Sequence, residues 1–314
     1  MVKNNNRRVW IMAVVLIAML AGCKPSTACS QQADPGKDFD VCDSRVVGWY
    51  WWQMKDEFPV SAVRFEDLTH IVYNPEKELH VTPDGHIKET GAIDDNLVEL
   101  TAKAHNKGVK VLMMMSEPGE DFNVMMSKPS RRTSFIREVV DYLLEHGLDG
   151  VEYDWEGNSH KDPYDWLGQE GQIDRANYTT IIKETKAALR EHNLIVTICG
   201  AAWPPCFVTA EAFEHIEFIS IMSYRDFEHA VRGLKVWTDI GAPRSLLNMG
   251  MAVGFNEHGR DQQLAAKEVR YVMENGYGGL LLFQLNYDTK DDNSMLKTVG
   301  ETMRELKSKH GCKQ

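Results

Sequence analysis

Asp149-Gly150-Val151-Glu152-Tyr153-Asp154-Trp155-Glu156 alternates acidic and apolar side chains over its last six positions. Side chains at every second position of a strand share a face. Glu152, Asp154 and Glu156 therefore point one way, and Val151, Tyr153 and Trp155 the other. The apolar Tyr142-Leu143-Leu144 and Leu148 just upstream argue that this strand is buried. Three carboxyls crowded on one buried pleat raise at least one pKa unless protons or hydrogen bonds are shared. A carboxyl that keeps its proton near neutral pH is what a general acid requires. A solvated acidic edge strand is the plain alternative.

Outward from this run, short apolar segments alternate with longer amphipathic ones. Strands are expected at Arg45 to Tyr50, His70 to Asn74, Val109 to Met115, Gly150 to Trp155, Leu194 to Cys199, Phe218 to Tyr224, Leu246 to Val253 and Gly279 to Leu285. Between them, Asp94 or Asp95 caps a helix carrying Leu97, Leu100 and Ala104 that stops at Gly108. Another places Phe135, Ile136, Val139, Val140 and Leu143 on one face and stops at Gly147. Further helices are expected within 175–192, 229–239, 262–275 and 294–309. Eight strand-then-helix units predict an α/β fold, a single (β/α)8 TIM barrel over residues 45–314. A doubly wound open sheet is the runner-up, but no glycine-rich phosphate loop follows the first strand. Active sites of such barrels lie at the carboxyl ends of the strands, and Glu156 falls at the end of the fourth.

The chain opens with Lys3, Arg7 and Arg8, then an apolar run from Trp10 to Ala21. This reads as a secretory signal over residues 1–22, too short to span a bilayer comfortably. An uncleaved anchor is the alternative. Residues 24–44, rich in Ser, Asp, Gln and Pro, read as a tether. Removing residues 1–22 takes away three basic and no acidic side chains, moving the net charge from −11 to −14. Such a charge disfavours nucleic acid and anionic polymers as partners, so a neutral substrate is expected.

An oxidising compartment permits disulfides. Cys199 with Cys206 is a plausible local staple, and Cys42 with Cys312 a possible tie between the ends of the barrel. No C-x-x-C pair and no H-E-x-x-H occurs, so no zinc site is expected.

The Asp149–Glu156 run resembles the D-G-x-D-x-D-x-E signature of glycoside hydrolase family 18, the chitinases and endo-β-N-acetylglucosaminidases. Val47-Gly48-Trp49-Tyr50, Thr69-His70-Ile71-Val72-Tyr73 and Lys110-Val111-Leu112 suit its first three strands, and Met222-Ser223-Tyr224 most of its M-x-Y-D motif. Gly278-Gly279 and Asp288 frame its last strand. The resemblance implies retaining hydrolysis of 2-acetamido sugars with substrate assistance, outside the usual two-carboxylate scheme. Glu156 would be general acid and base, Asp154 would orient the acetamido group, Tyr224 would bond its oxygen, and Glu152 would support Asp154. Tyr50, Phe283, Gln284, Trp203 and Arg225 would line the sugar pocket. No cofactor and no metal are implied. Leu20-Ala21-Gly22-Cys23 resembles a bacterial lipobox, implying lipidation of Cys23, with Lys24 favouring the outer membrane of a Gram-negative cell envelope.

The chain departs from the family pattern in places. Glu152 stands where Asp is usual, and Met113-Met114-Met115-Ser116-Glu117 replaces S-x-G-G, putting Met114 where a serine bonds the inner acid. Arg225, followed by Asp226, replaces the aspartate after the strand-six tyrosine. Phe283 replaces a tryptophan, and Gly157 a common tyrosine. The segment between the seventh strand and the last helix is too short for an α+β insertion, implying a shallow site suited to short oligosaccharides or to an endo-acting N-glycan or peptidoglycan-like target. A non-catalytic glycan-binding barrel is the other functional class, and an acidic cation site at Glu152, Asp154 and Glu156 a third.

Overall fold

A computed structural model describes residues 39–75, 79–88, 94–116, 120–157, 165, 167–203, 207–254 and 261–312. The expectations for the signal, Cys23 and the first part of the tether lie outside these residues, as does Glu117.

Eight parallel strands close into a barrel. They are β1 (Arg45–Trp51), β2 (His70–Asn74), β5 (Lys110–Ser116), β6 (Gly150–Asp154), β7 (Ile195–Ala201), β8 (Ile219–Met222), β9 (Leu247–Ala252) and β10 (Gly279–Phe283). Each pairs with its neighbour in sequence order, and β1 pairs with β10 to shut the ring. A two-stranded antiparallel ribbon, β3 (His80–Val81) with β4 (Ile87–Lys88), follows the second barrel strand. All eight expected strands are present, each apolar on the face that the helices cover, as strands wrapped by helices must be.

The helices are α1 (Asp95–His105), α2 (Glu120–Met126), α3 (Pro129–Glu145), α4 (Gln169–Arg190), α5 (Phe227–Asp239), α6 (Gln262–Glu274) and α7 (Met295–Lys309). The expected repetition of strand and helix fails twice. After β1 and after β7 the described residues hold only 3-10 turns, Trp52–Met54, Val60–Ala62 and Phe65–Asp67 in one case and Ala210–Glu214 in the other. Both connections contain prolines, Pro59 in the first and Pro204 and Pro205 in the second, and proline interrupts helical hydrogen bonding. Between β9 and β10 the described residues hold α6 and no further domain.

Two apolar layers result. Tyr50, Tyr73, Met113, Met115, Tyr153 and Trp155 belong to the larger cluster between sheet and helices. Val47, Trp49, Val72, Leu112, Met114, Cys199, Phe218 and Leu281 belong to a second cluster inside the barrel. At its amino end, the Arg45 guanidinium lies over Phe218, 5.3 Å from the ring centroid, and donates to Asn248 Oδ1. Burial lowers the Arg45 pKa to about 10 and, with Arg45 and Lys110 nearby, that of His70 to about 3. Just before β1, Val41–Asp43 form a 3-10 turn, and Cys42 is joined to Cys312 across a sequence separation of 270. No helix among the described residues is long and apolar enough to cross a membrane.

Candidate active site

The site grows from β6. Gly150 opens that strand because a Cβ there would lie 2.2 Å from the Ile195 carbonyl oxygen. Asp149, just before it, anchors the strand, accepting from Val111 N at 2.7 Å and from His105 Nε2 at 2.8 Å. Tyr153 and Trp155 turn outward as expected. The Tyr153 hydroxyl meets Thr185 Oγ1 at 2.9 Å, and Trp155 Nε1 donates to Asn123 Oδ1 at 2.7 Å.

The three acids are not equivalent. Glu152 and Asp154 are buried within the strand, whereas β6 ends at Asp154 and Glu156 is exposed beyond it. The expected row of three buried carboxyls is thus two buried and one at the rim. Gly157, next along, adopts φ +85°, a left-handed conformation that glycine takes freely, so the chain turns away directly after Glu156.

Glu152 sits in a ring of donors. Trp49 Nε1 donates to Oε1 at 2.9 Å and Cys199 Sγ to the same oxygen at 3.5 Å. Thr197 Oγ1 and Ser220 Oγ each donate to Oε2 at 2.9 Å. Burial pushes the Glu152 pKa up, while the four donors pull it back. Met114 stands in register with Glu152 on β5 and offers no donor. The bond expected from a third-strand serine is therefore replaced by bonds from the first, fifth and sixth barrel strands.

Burial alone raises the Glu156 pKa, and this side chain has no hydrogen bond or ion pair among the described residues. Glu152, Asp154 and Glu156 do not bring three ligand oxygens within 4.8 Å of one another, which removes the cation-site reading. The one such grouping among the described residues is Asp40 with Cys42 and Cys312, whose sulfurs are already joined to each other.

Aromatic rings complete the inner wall. Tyr224 and Phe283 stack with centroids 4.6 Å apart, and Trp49 and Trp51 each meet Phe283 edge-on, at 5.4 and 5.8 Å. The Tyr224 hydroxyl is buried with no partner, and burial raises its pKa well above 10, keeping it a neutral donor. Gln284 is buried, donating from Nε2 to Met54 Sδ at 3.0 Å, while its Oε1 has no partner. Trp203 is 49% exposed on the loop after β7, and Arg225 is exposed after β8.

Two expectations are corrected. Tyr50 does not face the pocket: its ring stacks on Tyr73 outside the barrel and its hydroxyl donates to the Phe58 carbonyl at 2.8 Å. Alternation along β1 turns Trp49 and Trp51 inward instead. Cys199 is a free buried thiol inside the barrel, so it forms no staple with Cys206, which lies outside the described residues. Asp226 is the N-cap of α5, accepting from His229 N at 2.7 Å, a bond that holds its carboxyl below the usual range. Thr197 and Ser220 were not singled out in the sequence. Their signal is a polar side chain in each of two otherwise apolar runs, Ile195-Val196-Thr197-Ile198 and Ile219-Ser220-Ile221.

Residues 45–258 match the family model described as Glycosyl hydrolases family 18. The chain belongs to that family. Among family 18 relatives, it is 29% identical over 103 residues to a chitinase-like effector of Moniliophthora roreri, covering 32% of this chain and 25% of that protein. It is 22% identical over 275 residues to Probable chitinase 10 of Drosophila melanogaster, covering 74% of this chain and 11% of that one. The chain thus spans a quarter or less of the length of these two relatives. In fold it is similar to the chitinase ChiB of Flavobacterium johnsoniae, with a TM-score of 0.69 and 18% identity over 84% of this chain and 95% of that one. A chitinase from Bacteroides thetaiotaomicron also superposes with a TM-score of 0.69, at 19% identity, over 83% and 97% of the two chains.

Proposed function

We propose that the chain is a retaining glycosidase that cleaves β-linked N-acetylglucosamine glycans by substrate-assisted catalysis. The observation that carries this reading is Glu156: a rim carboxyl whose pKa burial raises, with no partner among the described residues to compete for its proton. Its protonated form gives a proton to the glycosidic oxygen as the C1–O bond breaks. The acetamido carbonyl oxygen of the same sugar bonds to C1, forming an oxazolinium. Asp154 holds the acetamido N–H, and the unpartnered Tyr224 hydroxyl donates to its oxygen. Water then attacks C1, Glu156 as carboxylate takes its proton, and the acetamido group is restored.

Phe283, with Trp51 and Trp49 against its edges, offers an apolar floor for a sugar face. Trp203, Gln284 and Arg225 extend contacts along the glycan. A fold relative from Ostrinia furnacalis, 16% identical with a TM-score of 0.69, has been crystallised with penta-N-acetylchitooctaose, in keeping with an acetamido-sugar substrate. The short stretch between β9 and α7 favours a shallow cleft and short oligosaccharides. In the cell, Cys23 would carry lipid after removal of residues 1–22, residues 23–44 would serve as the tether, and the catalytic domain would comprise residues 45–314, held at the envelope. Loss of lipid labelling in a Cys23→Ala variant tests that placement, and unchanged labelling overturns it.

The activity test incubates the chain from residue 24, and its Glu156→Gln variant, with N-acetylglucosamine oligomers, high-mannose glycopeptides and muropeptides, reading products by mass spectrometry. Cleavage by the parent alone supports the glycosidase, and the substrate cut separates chitinase action from that of an endo-β-N-acetylglucosaminidase. Binding by both proteins without turnover leaves a glycan-binding barrel instead.

A further inference from the structure

The free thiol of Cys199 occupies a place in the barrel that the reaction above leaves unused. Register fixes its position: Glu152 pairs with Thr197 and Tyr153 with Ile198 across β6 and β7, so one further step sets Cys199 across from Asp154. Cys199 also pairs with Ser220 on β8. Its sulfur lies 3.5 Å from Glu152 Oε1, and the Asp154 carboxyl, next along the same face of β6, is near enough to help raise the thiol's pKa. The other three donors to Glu152 are a ring N–H and two hydroxyls at 2.9 Å, bonds of ordinary strength. A thiol is a weak donor with a single proton, so it serves one carboxyl at a time and gives way when either moves.

We propose that Cys199 is a positioning residue of the hydrolase proposed above: a yielding contact that couples the fixed Glu152 carboxyl to the Asp154 carboxyl nearer the rim. Three strong donors hold Glu152 in place. Asp154, two residues further along the strand, has to reach the acetamido group. A soft link between them steadies the resting position of Asp154 without locking it. The other titratable groups around the pair are Glu156, Tyr224 just after β8 and Tyr178 on α4, whose phenols burial keeps protonated. Cys199 itself is held as a thiol by burial and by the two acids.

The inference rests on the hydrolase reading, and its test separates the two. In the chain from residue 24, Cys199→Ala is expected to lower kcat about tenfold with KM within about twofold, the loss of one positioning bond. The acid limb of the rate profile should move to higher pH, since Glu152 loses a donor that favours its anion. Cys199→Ser should restore both. A thiol that only fills space would lower the melting temperature and leave the limb where it was, and an alanine variant with the parent's kcat and pH profile overturns the proposal.

A second readout needs no turnover and no variant that must fold differently. The S–H stretching band of Cys199, assigned by difference against Cys199→Ser, should shift with pH as the carboxyls titrate and again in Asp154→Asn. A band insensitive to both overturns the coupling, whereas a parent that binds but never cleaves sinks only the hydrolase.

Discussion

Glu152 and Glu156 are four residues apart on one segment and live in opposite environments. At the floor, Glu152 is fully buried and accepts from Trp49, Thr197, Ser220 and Cys199. At the rim, Glu156 is exposed and has no hydrogen bond or ion pair among the described residues. A carboxyl with all its lone pairs occupied is a fixed part of the fold. One without partners is free to exchange a proton with whatever enters the mouth. The same side chain is thus built into structure at one level and left available for chemistry at the next.

The sharpest way to break this contrast is Glu156→Gln. Loss of a general acid costs roughly 10³-fold in rate, so turnover of N-acetylglucosamine oligomers should fall by that order with no loss of stability in urea. Turnover within tenfold of the parent would move the acid elsewhere. Glu152→Leu should do the reverse of sparing stability. It takes the shared acceptor from four buried donors, and the expected loss is about 3 kcal/mol in urea unfolding. A loss under about 1 kcal/mol would mean that the ring of donors is satisfied without Glu152.

Tyr224→Phe comes next. The phenol makes no hydrogen bond among the described residues, so its removal should leave unfolding unchanged or slightly harder. Its bond would form only with substrate, and the expected loss is about tenfold in kcat/KM. A drop in stability with no kinetic effect would reassign Tyr224 to the packing of Phe283.

The contrast was only partly legible in the sequence. The eight strands stood out because each is a compact apolar run between polar punctuation, and the acid row fixed the phase of β6. Phase was the difficulty on β1. In Val46-Val47-Gly48-Trp49-Tyr50-Trp51, both faces are apolar, so hydrophobicity does not say which residues look into the barrel. The family resemblance placed Tyr50 inside, and closure of β1 against β10 and β2 puts Trp49 there. Cys199 was read by its nearness to Cys206 in sequence, yet its alternation with Thr197 already put it on the polar face of β7. Asp226 followed by Phe227-Glu228-His229 has the form of a helix cap, and the structure uses it as one. Where the sequence misled, a side chain had two plausible neighbours, one local and one across the barrel, and only ring closure chose between them.

The smallest effect sharpens the comparison most directly, because it isolates the one ionisation on which the rim carboxyl depends. Burial raises the Glu156 pKa in the folded chain above its unfolded value. By linkage, the stability associated with that group is fully present below the unfolded pKa and lost as pH rises through the folded one. Glutamine does not titrate. Glu156→Gln should therefore track the parent's melting temperature in acid and sit slightly above it at neutral pH, the gap opening over the interval between the two pKa values. The gap should be small, since the carboxyl is partly in water and solvent screens it. The same ionisation removes the proton that the acid donates, so the parent's kcat should fall on its basic limb through the pH range where the gap opens. Coincidence of the two curves would tie the stability cost and the rate to one proton on Glu156; a gap that stays flat with pH would detach them.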